Sequence, residues 1–295
     1  MGDLRVLGTV GKATTRIMVD AILQTVGGQL PGPVTVVHSP NDEAREALAN
    51  ADEESRIAVN ADSTQVTGLP ASVTTFGLNG TAAFSASEVD AGLGGTAFTL
   101  TAEGEQHRVT LRLLGEHQVI NALAAIAVAR VSGIALALAI SALEDLATLG
   151  RARMERLDTD REIVVINDAV SAGPQSVAAA LKTLTQVAGR RRSVAVLGEL
   201  ASGDEDARAA HDRIGRLIVR LNVKKLVVVG HGARHIHNAA GLEGSWDGES
   251  VLVETPAEAY DFLREELRQQ DVVLVKSSEE AGLDALADRL AGVAR

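Results

Sequence analysis

The sequence predicts an α/β fold, two successive domains each organised on a largely parallel sheet, and two observations carry this. An apolar run, Leu4 to Leu7, leads into Gly8-Thr9-Val10-Gly11-Lys12-Ala13-Thr14-Thr15 and then into helical spacing at Ile17, Met18, Ala21 and Ile22. Strand, glycine turn, lysine and helix in that order cradle phosphates, because the N–H groups of the turn and of the helix N-terminus face an anion. From Arg161 onward, apolar runs at 163–166, 194–197, 226–229, 251–253 and 272–275 alternate with helical segments at 175–187, 205–221, 232–240, 256–268 and 279–293. Nearly continuous Val/Leu/Ile strands alternating with amphipathic helices mean a Rossmann-like parallel sheet covered on both faces.

The elements follow in order. The first helix is expected from Lys12 to Thr25, closed by Gly27-Gly28 as a C-cap pair. Pro31-Gly32-Pro33 opens a strand at 34–37, and Ser39-Pro40-Asn41-Asp42 starts a helix carrying Ala44, Ala47 and Leu48. Residues 56–59 read as a further strand, ending in Asn60-Ala61-Asp62. Residues 64–113 change character. Short β-rich pieces at 73–76, 82–84, 97–100 and 109–113, separated by glycines at 77, 80, 92, 94, 95 and 104, predict antiparallel hairpins. Gly115 to Asn121 leads into an Ala-rich helix reaching Ser132, and another helix covers 137–148. The charged segment 151–161 lacks a periodic pattern and reads as a hinge, which sets the domains at 1–155 and 156–295.

Composition excludes several function classes. A chain of 295 residues holds two ordinary cores, and with aromatics at 2% those cores are built from Ala, Val, Leu and Ile. The net charge of −11 argues against nucleic acid or an anionic membrane surface as partner. No cysteine means no disulfide, no thiolate metal site and no cysteine nucleophile. The N-terminus has no signal-peptide layout, and the apolar stretch 122–129 is too short to span a bilayer. No membrane partner and a cytoplasmic location are expected.

The loop departs from the Walker pattern at one position. That pattern places Ser or Thr after the lysine, because the hydroxyl ligates Mg²⁺. Here the residue is Ala13, whose methyl group cannot.

Seven segments, in order, make the chain resemble the Mur ligases: Gly8–Thr15; Gly115-Glu116-His117-Gln118…Asn121; Arg151…Arg153-Met154-Glu155; Ile166-Asn167-Asp168…Pro174; Ala195 to Leu200; His211 to Leu217; and Val273 to Ser278. The resemblance implies amide-bond formation through an ATP-derived acyl phosphate. In the family one domain holds a UDP-sugar, a central one ATP, and a Rossmann-like C-terminal one the amine substrate. The chain is similar to only the last two, since the residues before Gly8 are too few for a UDP-binding domain. The resemblance also implies a truncated P-loop-type central domain, because a long family block between the loop helix and the strand ending at Asn60 is here a few residues around Gly28 to Pro33.

The departures fall on chemistry. The missing block would carry the glutamate that holds Mg²⁺ in the family, and Val10 replaces a small polar residue. Where the family has a carbamoylated lysine, Glu43-Ala44-Arg45-Glu46-Ala47-Leu48 presents Arg45. A guanidinium is never deprotonated in a protein and cannot be carbamoylated. The family's Asp-x-Tyr-Asn-Ala-Asn-Pro becomes Asp168-Ala169-Val170-Ser171-Ala172-Gly173-Pro174, without the tyrosine and asparagines that contact nucleotide.

The nucleotide-side candidates, vestigial or weak, are therefore Gly8, Thr9, Gly11, Lys12, Thr14, His117, Asn121, Arg153 and Asp168; Lys276 and Ser277 are the substrate-side candidates. Each has a plainer alternative. His117 and Asn121, four apart on one helix face, also suit capping and packing. Arg153 reaches phosphates or is a solvated hinge arginine, and Asp168 stands at a ligand-bearing strand end or caps a helix. His231, His235 and His237 tempt as metal ligands, but no further ligand is evident, so a solvated helix face is preferred and no metal site is assigned.

Three functions remain in view: a non-catalytic homologue serving as scaffold or partner subunit of a catalytic Mur-type ligase, a trimmed active ligase using ATP and Mg²⁺, or a metabolite-binding module without chemistry. The four losses together favour the first, since removing a single stabilising group from such a site costs roughly 10²–10³ in rate. A homo-oligomer or a hetero-complex is expected, with Val34, Val36, Val37, Ile57 and Val59 left uncovered by the truncation as its interface.

Overall fold

The computed structural model describes residues 3–64, 68–201 and 206–293, and divides into two units, Met1–Leu149 and Gly150–Arg295. The first unit opens with β1 (Leu4–Leu7), α1 (Lys12–Thr25), β2 (Val34–Val37), α2 (Asp42–Ala49) and β3 (Ile57–Asn60). Alternation of short apolar strands with helices gives parallel pairing, β1 with β2 and β2 with β3. Helix α1 starts where the chain needs a left-handed residue, Gly11 at φ 84°. Helix α2 is capped by Asn41, whose side chain accepts the Ala44 N–H at 2.7 Å.

The sheet continues through β4 (Val73–Gly77), β5 (Phe84–Gly92), β6 (Gly95–Ala102) and β7 (Glu105–Leu111), in the order β1-β2-β3-β4-β5-β6-β7. Strands β5, β6 and β7 are antiparallel, as expected from their glycine-separated pattern. The expectation fails for 73–76. Strand β4 runs parallel to β3 from Val73 to Phe76, and parallel to β5 only at Phe76–Phe84 and Gly77–Ser85. Local β-propensity records that a strand exists but not its direction, and residues 61–72 provide chain enough to return to the same end of the sheet.

Helices α3 (His117–Val131) and α4 (Leu136–Asp145) follow. Residues 121–129 of α3 are all buried and, from Ala122 on, apolar, so the helix forms the centre of the unit's core, beneath the sheet with Met18 and Ile22 of α1 and Leu143 of α4. Alanines let it approach the strands closely. On the other face α2 covers Leu7, Val37, Ile57 and Val59 through Ala44. The expected uncovered patch is therefore absent: Val34, Val36, Val37, Ile57 and Val59 are at most 5% exposed. The two helical layers already enclose the shortened sheet.

In the second unit the segment expected as a hinge contains β8 (Glu155–Asp158), paired antiparallel to β9 (Val164–Asp168). Only Leu157 of β8 turns inward, and charged residues on the remaining positions suit an edge strand while hiding its period. Then come α5 (Pro174–Ala188), β10 (Ser193–Leu197), α6 (Ala207–Arg220), β11 (Lys225–Val229), α7 (Arg234–Gly241), β12 (Glu249–Val253), α8 (Pro256–Glu266), β13 (Val272–Lys276) and α9 (Asp284–Ala291). Residue 205, where the sixth helix was expected to start, lies outside the described residues. The helix expected over 279–293 is broken by Gly282 at φ 64° into a 3-10 turn and α9.

The six strands lie in the order β12-β11-β10-β13-β9-β8. Helices α5, α6 and α7 pack in one row, and α8 and α9 in another. Neighbouring strands β9 and β13 are thus followed by helices of different rows, which makes their carboxyl ends the topological switch point, where open α/β sheets place ligands. No helix among the described residues is long and apolar enough to cross a membrane.

Candidate functional site

In the first unit the candidate loop joins β1 to α1. Gly8 and Gly11 both have positive φ, 126° and 84°, a backbone that glycine adopts without strain. Lys12 Nζ folds back to donate to Gly8 O at 2.9 Å. The Thr9 N–H donates to Ser39 Oγ at 3.1 Å, so the loop is tied to the carboxyl end of β2. Thr14 is half-buried, and Ala13 is exposed at the head of the helix.

Beneath the loop lies a buried polar group. Thr15 Oγ1 and His38 Nε2 are 2.7 Å apart, and the His38 ring meets Phe76 edge-on at 5.5 Å. Burial pushes the His38 imidazole down to about 4, so it is neutral near pH 7. Its carbonyl accepts from Asn60 Nδ2 at 3.2 Å and Ser63 Oγ at 2.6 Å. A Cβ built on Gly11 would stand 2.5 Å from Asn121 Oδ1 and 3.3 Å from the His38 ring. Asn121 therefore belongs to the loop. His117 connects to it through Gln118, which donates to His117 Nε2 at 3.0 Å and accepts from Asn121 Nδ2 at 3.0 Å.

His38, Ser39 and Gln118 were missed in the sequence. The available signal was positional: His38-Ser39 directly follows β2, at the carboxyl end of the strand next to the loop strand.

The fit of Mg²⁺ and ATP can be tested on these residues. Ala13 brings no oxygen to the metal position, and Arg45 lies exposed on α2, paired with Asp42 at 2.7 Å. Among the described residues no group of three His or carboxylate side chains could hold a metal ion. At the position after the lysine, the loop thus offers a methyl group where the Walker pattern offers a hydroxyl to Mg²⁺. His231 lies in a 3-10 turn and His235 in α7, while His237 pairs with Ser250 Oγ at 2.6 Å.

The second unit gathers Asp168, Lys276 and the turn at Arg153 at its switch point. Lys276 is 1% exposed and donates to Asp168 Oδ2 at 2.5 Å and to Ser171 O at 2.6 Å. Asp168 Oδ1 accepts the Met154 N–H at 3.1 Å. Burial pushes the Asp168 carboxyl up, while Lys276, the Met154 N–H and the charge of Arg153 pull it back. Asp168 does not cap α5, whose N-cap is Gly173. Lys276 and Ser277, proposed for the substrate side, are buried, and Ser277 Oγ donates to Ser278 O at 2.9 Å. His211 is likewise internal, accepting the Leu200 N–H at 3.2 Å.

A loop-bearing sheet unit followed by a six-stranded, mostly parallel unit with an acid–lysine pair at its switch point makes a pair of α/β domains of the kind found in nucleotide-using ligases. Two family models match it: the Mur ligase middle domain over residues 38–129, and the Mur ligase glutamate ligase domain over 152–279. The chain belongs to the Mur ligase family. The middle-domain match begins at His38, after the loop, so the loop's kinship rests on its own pattern.

Among curated proteins the chain is 45% identical over 210 residues to UDP-N-acetylmuramoyl-tripeptide–D-alanyl-D-alanine ligase of Mycobacterium tuberculosis, covering 65% of this chain and 41% of that one. The Bacillus subtilis enzyme of the same name is 28% identical over 196 residues, covering 66% and 42%. The chain thus spans less than half the length of these relatives. Among solved structures it is similar to MurF of Acinetobacter baumannii, with TM-score 0.78, 20% identity and coverage of 99% of this chain and 77% of the other. MurF of Thermotoga maritima in complex with ADP gives TM-score 0.79 at 15% identity, covering 99% and 80%. At these identities the structural likeness shows the fold.

Proposed function

We propose that this chain is a MurF-like homologue with a degraded ATP site, acting as a non-catalytic scaffold or partner subunit of an ATP-dependent amide ligase. The observation that carries the reading is Ala13 at the one loop position where phosphoryl transfer needs a hydroxyl on Mg²⁺. The surroundings support it. Lys12 is turned to Gly8 O, Asn121 fills the space beside Gly11, and the resemblance aligns Arg45 with the lysine that carries the family's carbamate.

The retained left-handed glycines and Lys12 favour one second reading, a trimmed active ligase that joins an acid to an amine. The test is turnover. The purified chain is given ATP, Mg²⁺, UDP-N-acetylmuramoyl-tripeptide and D-alanyl-D-alanine, and phosphate release and product are followed; a full-length ligase from the same source is then offered as binding partner. No turnover with a stable complex supports the scaffold reading. Product formed by the chain alone establishes the second reading, and ligand binding with neither turnover nor complex points to a metabolite-binding module.

A further inference from the structure

We infer that the cavity at the C-terminal ends of α6 and α7 is a binding site for a flat anion: a small aromatic or heteroaromatic ring carrying phosphate or carboxylate. Its volume is about 380 Å³, and Arg216, Arg220, Asn222, Glu243, Trp246 and Asp247 line it. Pockets of roughly 300–1,000 Å³ take small molecules, so a ligand the size of a nucleoside monophosphate is the upper limit here. The cavity lies beside the amino ends of β11 and β12, at the opposite end of the second sheet from Asp168 and Lys276. It does not depend on the state of the loop in the first unit.

The walls are held firmly. Helices α6 and α7 touch at Gly215, where a Cβ would stand 2.5 Å from Ile236 O. Trp246 is the only tryptophan in the chain, and its Nε1 donates to Val223 O at 3.0 Å. Gly248 lies so close to the indole that a side chain there would collide with it. The ring is fixed in advance, which lowers the entropy lost when a second ring packs beside it.

The charges select the ligand. Asp247 is matched by Lys224 Nζ at 3.0 and 2.9 Å. Arg216 and Arg220 stand one turn apart on α6, both exposed, and neither has an ion pair or side-chain hydrogen bond among the described residues. Arg220, in the last turn, also complements the helix's negative end; Arg216, further from it, has no such duty. With Asp247 held by Lys224, the two guanidiniums share the lining with one remaining carboxylate, Glu243, which leaves a local positive excess in a chain of net charge −11. Guanidinium forks recognise phosphate and carboxylate by paired hydrogen bonds, and the indole beside them supplies the surface for a ring.

The single tryptophan makes the site its own reporter. The whole chain is titrated with AMP and with nicotinate, following Trp246 emission and heat of binding. The two arms distinguish a phosphate from a carboxylate headgroup. Saturable binding of at least one is expected, with adenosine, ribose 5-phosphate or pyridine, each lacking one half of the chemistry, binding about tenfold more weakly. The double variant Arg216→Gln/Arg220→Gln, on exposed positions, should keep its melting temperature and lose about tenfold in affinity. Lys12→Ala, in the loop of the first unit, should leave the Trp246 emission response in place. No saturable response in either arm overturns the proposal. So does equal binding of the ring-free or charge-free probe, or a response that Lys12→Ala abolishes and the arginine variant leaves intact.

Discussion

Lys276 Nζ stands 2.5 Å from Asp168 Oδ2, so one charged hydrogen bond joins the last residues of two neighbouring parallel strands that are 108 positions apart in the chain. Both groups lie where this fold presents ligands, and both are turned on each other. The ammonium's second donor is spent on Ser171 O at 2.6 Å. The pair works as a strut across the switch point.

Removing one partner of such a pair strands the other charge. Lys276→Met is expected to destabilise the second unit by about 3–5 kcal/mol, measured by urea unfolding. Lys276→Met combined with Asp168→Asn should recover a large part of that loss, because no isolated carboxylate remains. A single variant as stable as the parent would show that water reaches Asp168 freely.

Gly11 is required twice over. Its φ of 84° disfavours any side chain, and a Cβ would meet Asn121 Oδ1 at 2.5 Å. Gly11→Ala should cost about 1–3 kcal/mol from the backbone alone, with the collision adding to it. Adding Asn121→Ala should relieve only the second part. Full recovery in the double variant, read from thermal melts, would mean that the backbone tolerates alanine here.

His38 gives a pH dependence whose sign is fixed by its direction. In the unfolded chain it titrates near its ordinary 6.5, and in the folded protein burial holds it at about 4. Between those values the unfolded state binds more protons, so stability is complete above pH 6.5 and falls as pH is lowered towards 4. The full effect is about 3 kcal/mol at one kcal-scale step per pK unit. Equilibrium unfolding at pH 7, 6, 5 and 4 should show this slope, and His38→Gln should flatten it. An unchanged slope in the variant would assign the effect to carboxylates, whose own losses set in lower.

Much of the fold could be read from local chemistry. Helix α1 runs from Lys12 to Thr25 as expected, because a glycine turn starts it and Gly27-Gly28 ends it. The second sheet was legible because buried parallel strands are continuous runs of Val, Leu and Ile. What could not be read depends on partners distant in sequence. The direction of β4 is set by β3, and β8 shows a strand only when Leu157 is seen to pack inward. The burial of Val34 to Val37 depends on α2 and α3 closing over both faces. For the candidate sites the loop and strand-end residues were legible as types in order. Their engagements were not: the chemistry of Lys276 is decided by a carboxylate on another strand, and that of Asn121 by a missing side chain on Gly11.

The loop chemistry yields the last prediction. ATP with Mg²⁺ at a concentration near a millimolar Kd stabilises by RT ln 2, about 0.4 kcal/mol, a shift of roughly 1–2 °C for units of this size. A small shift of that order is expected for the chain as it stands. Ala13→Thr restores an oxygen at the head of α1, on a position that is exposed and has room for it. The variant should bind Mg²⁺–ATP more tightly than ATP alone, a preference not expected of the parent, because only the metal complex uses the new hydroxyl. On the proposed reading turnover is expected to stay absent, since the resemblance aligns Arg45 with the carbamate-forming lysine. Lys12→Ala on the same background should remove the gain, which separates binding at the loop from binding elsewhere. A shift of many degrees in the parent chain, reproduced with a non-hydrolysable analogue, would show that another oxygen already serves the metal, and the scaffold reading would then give way to the active ligase.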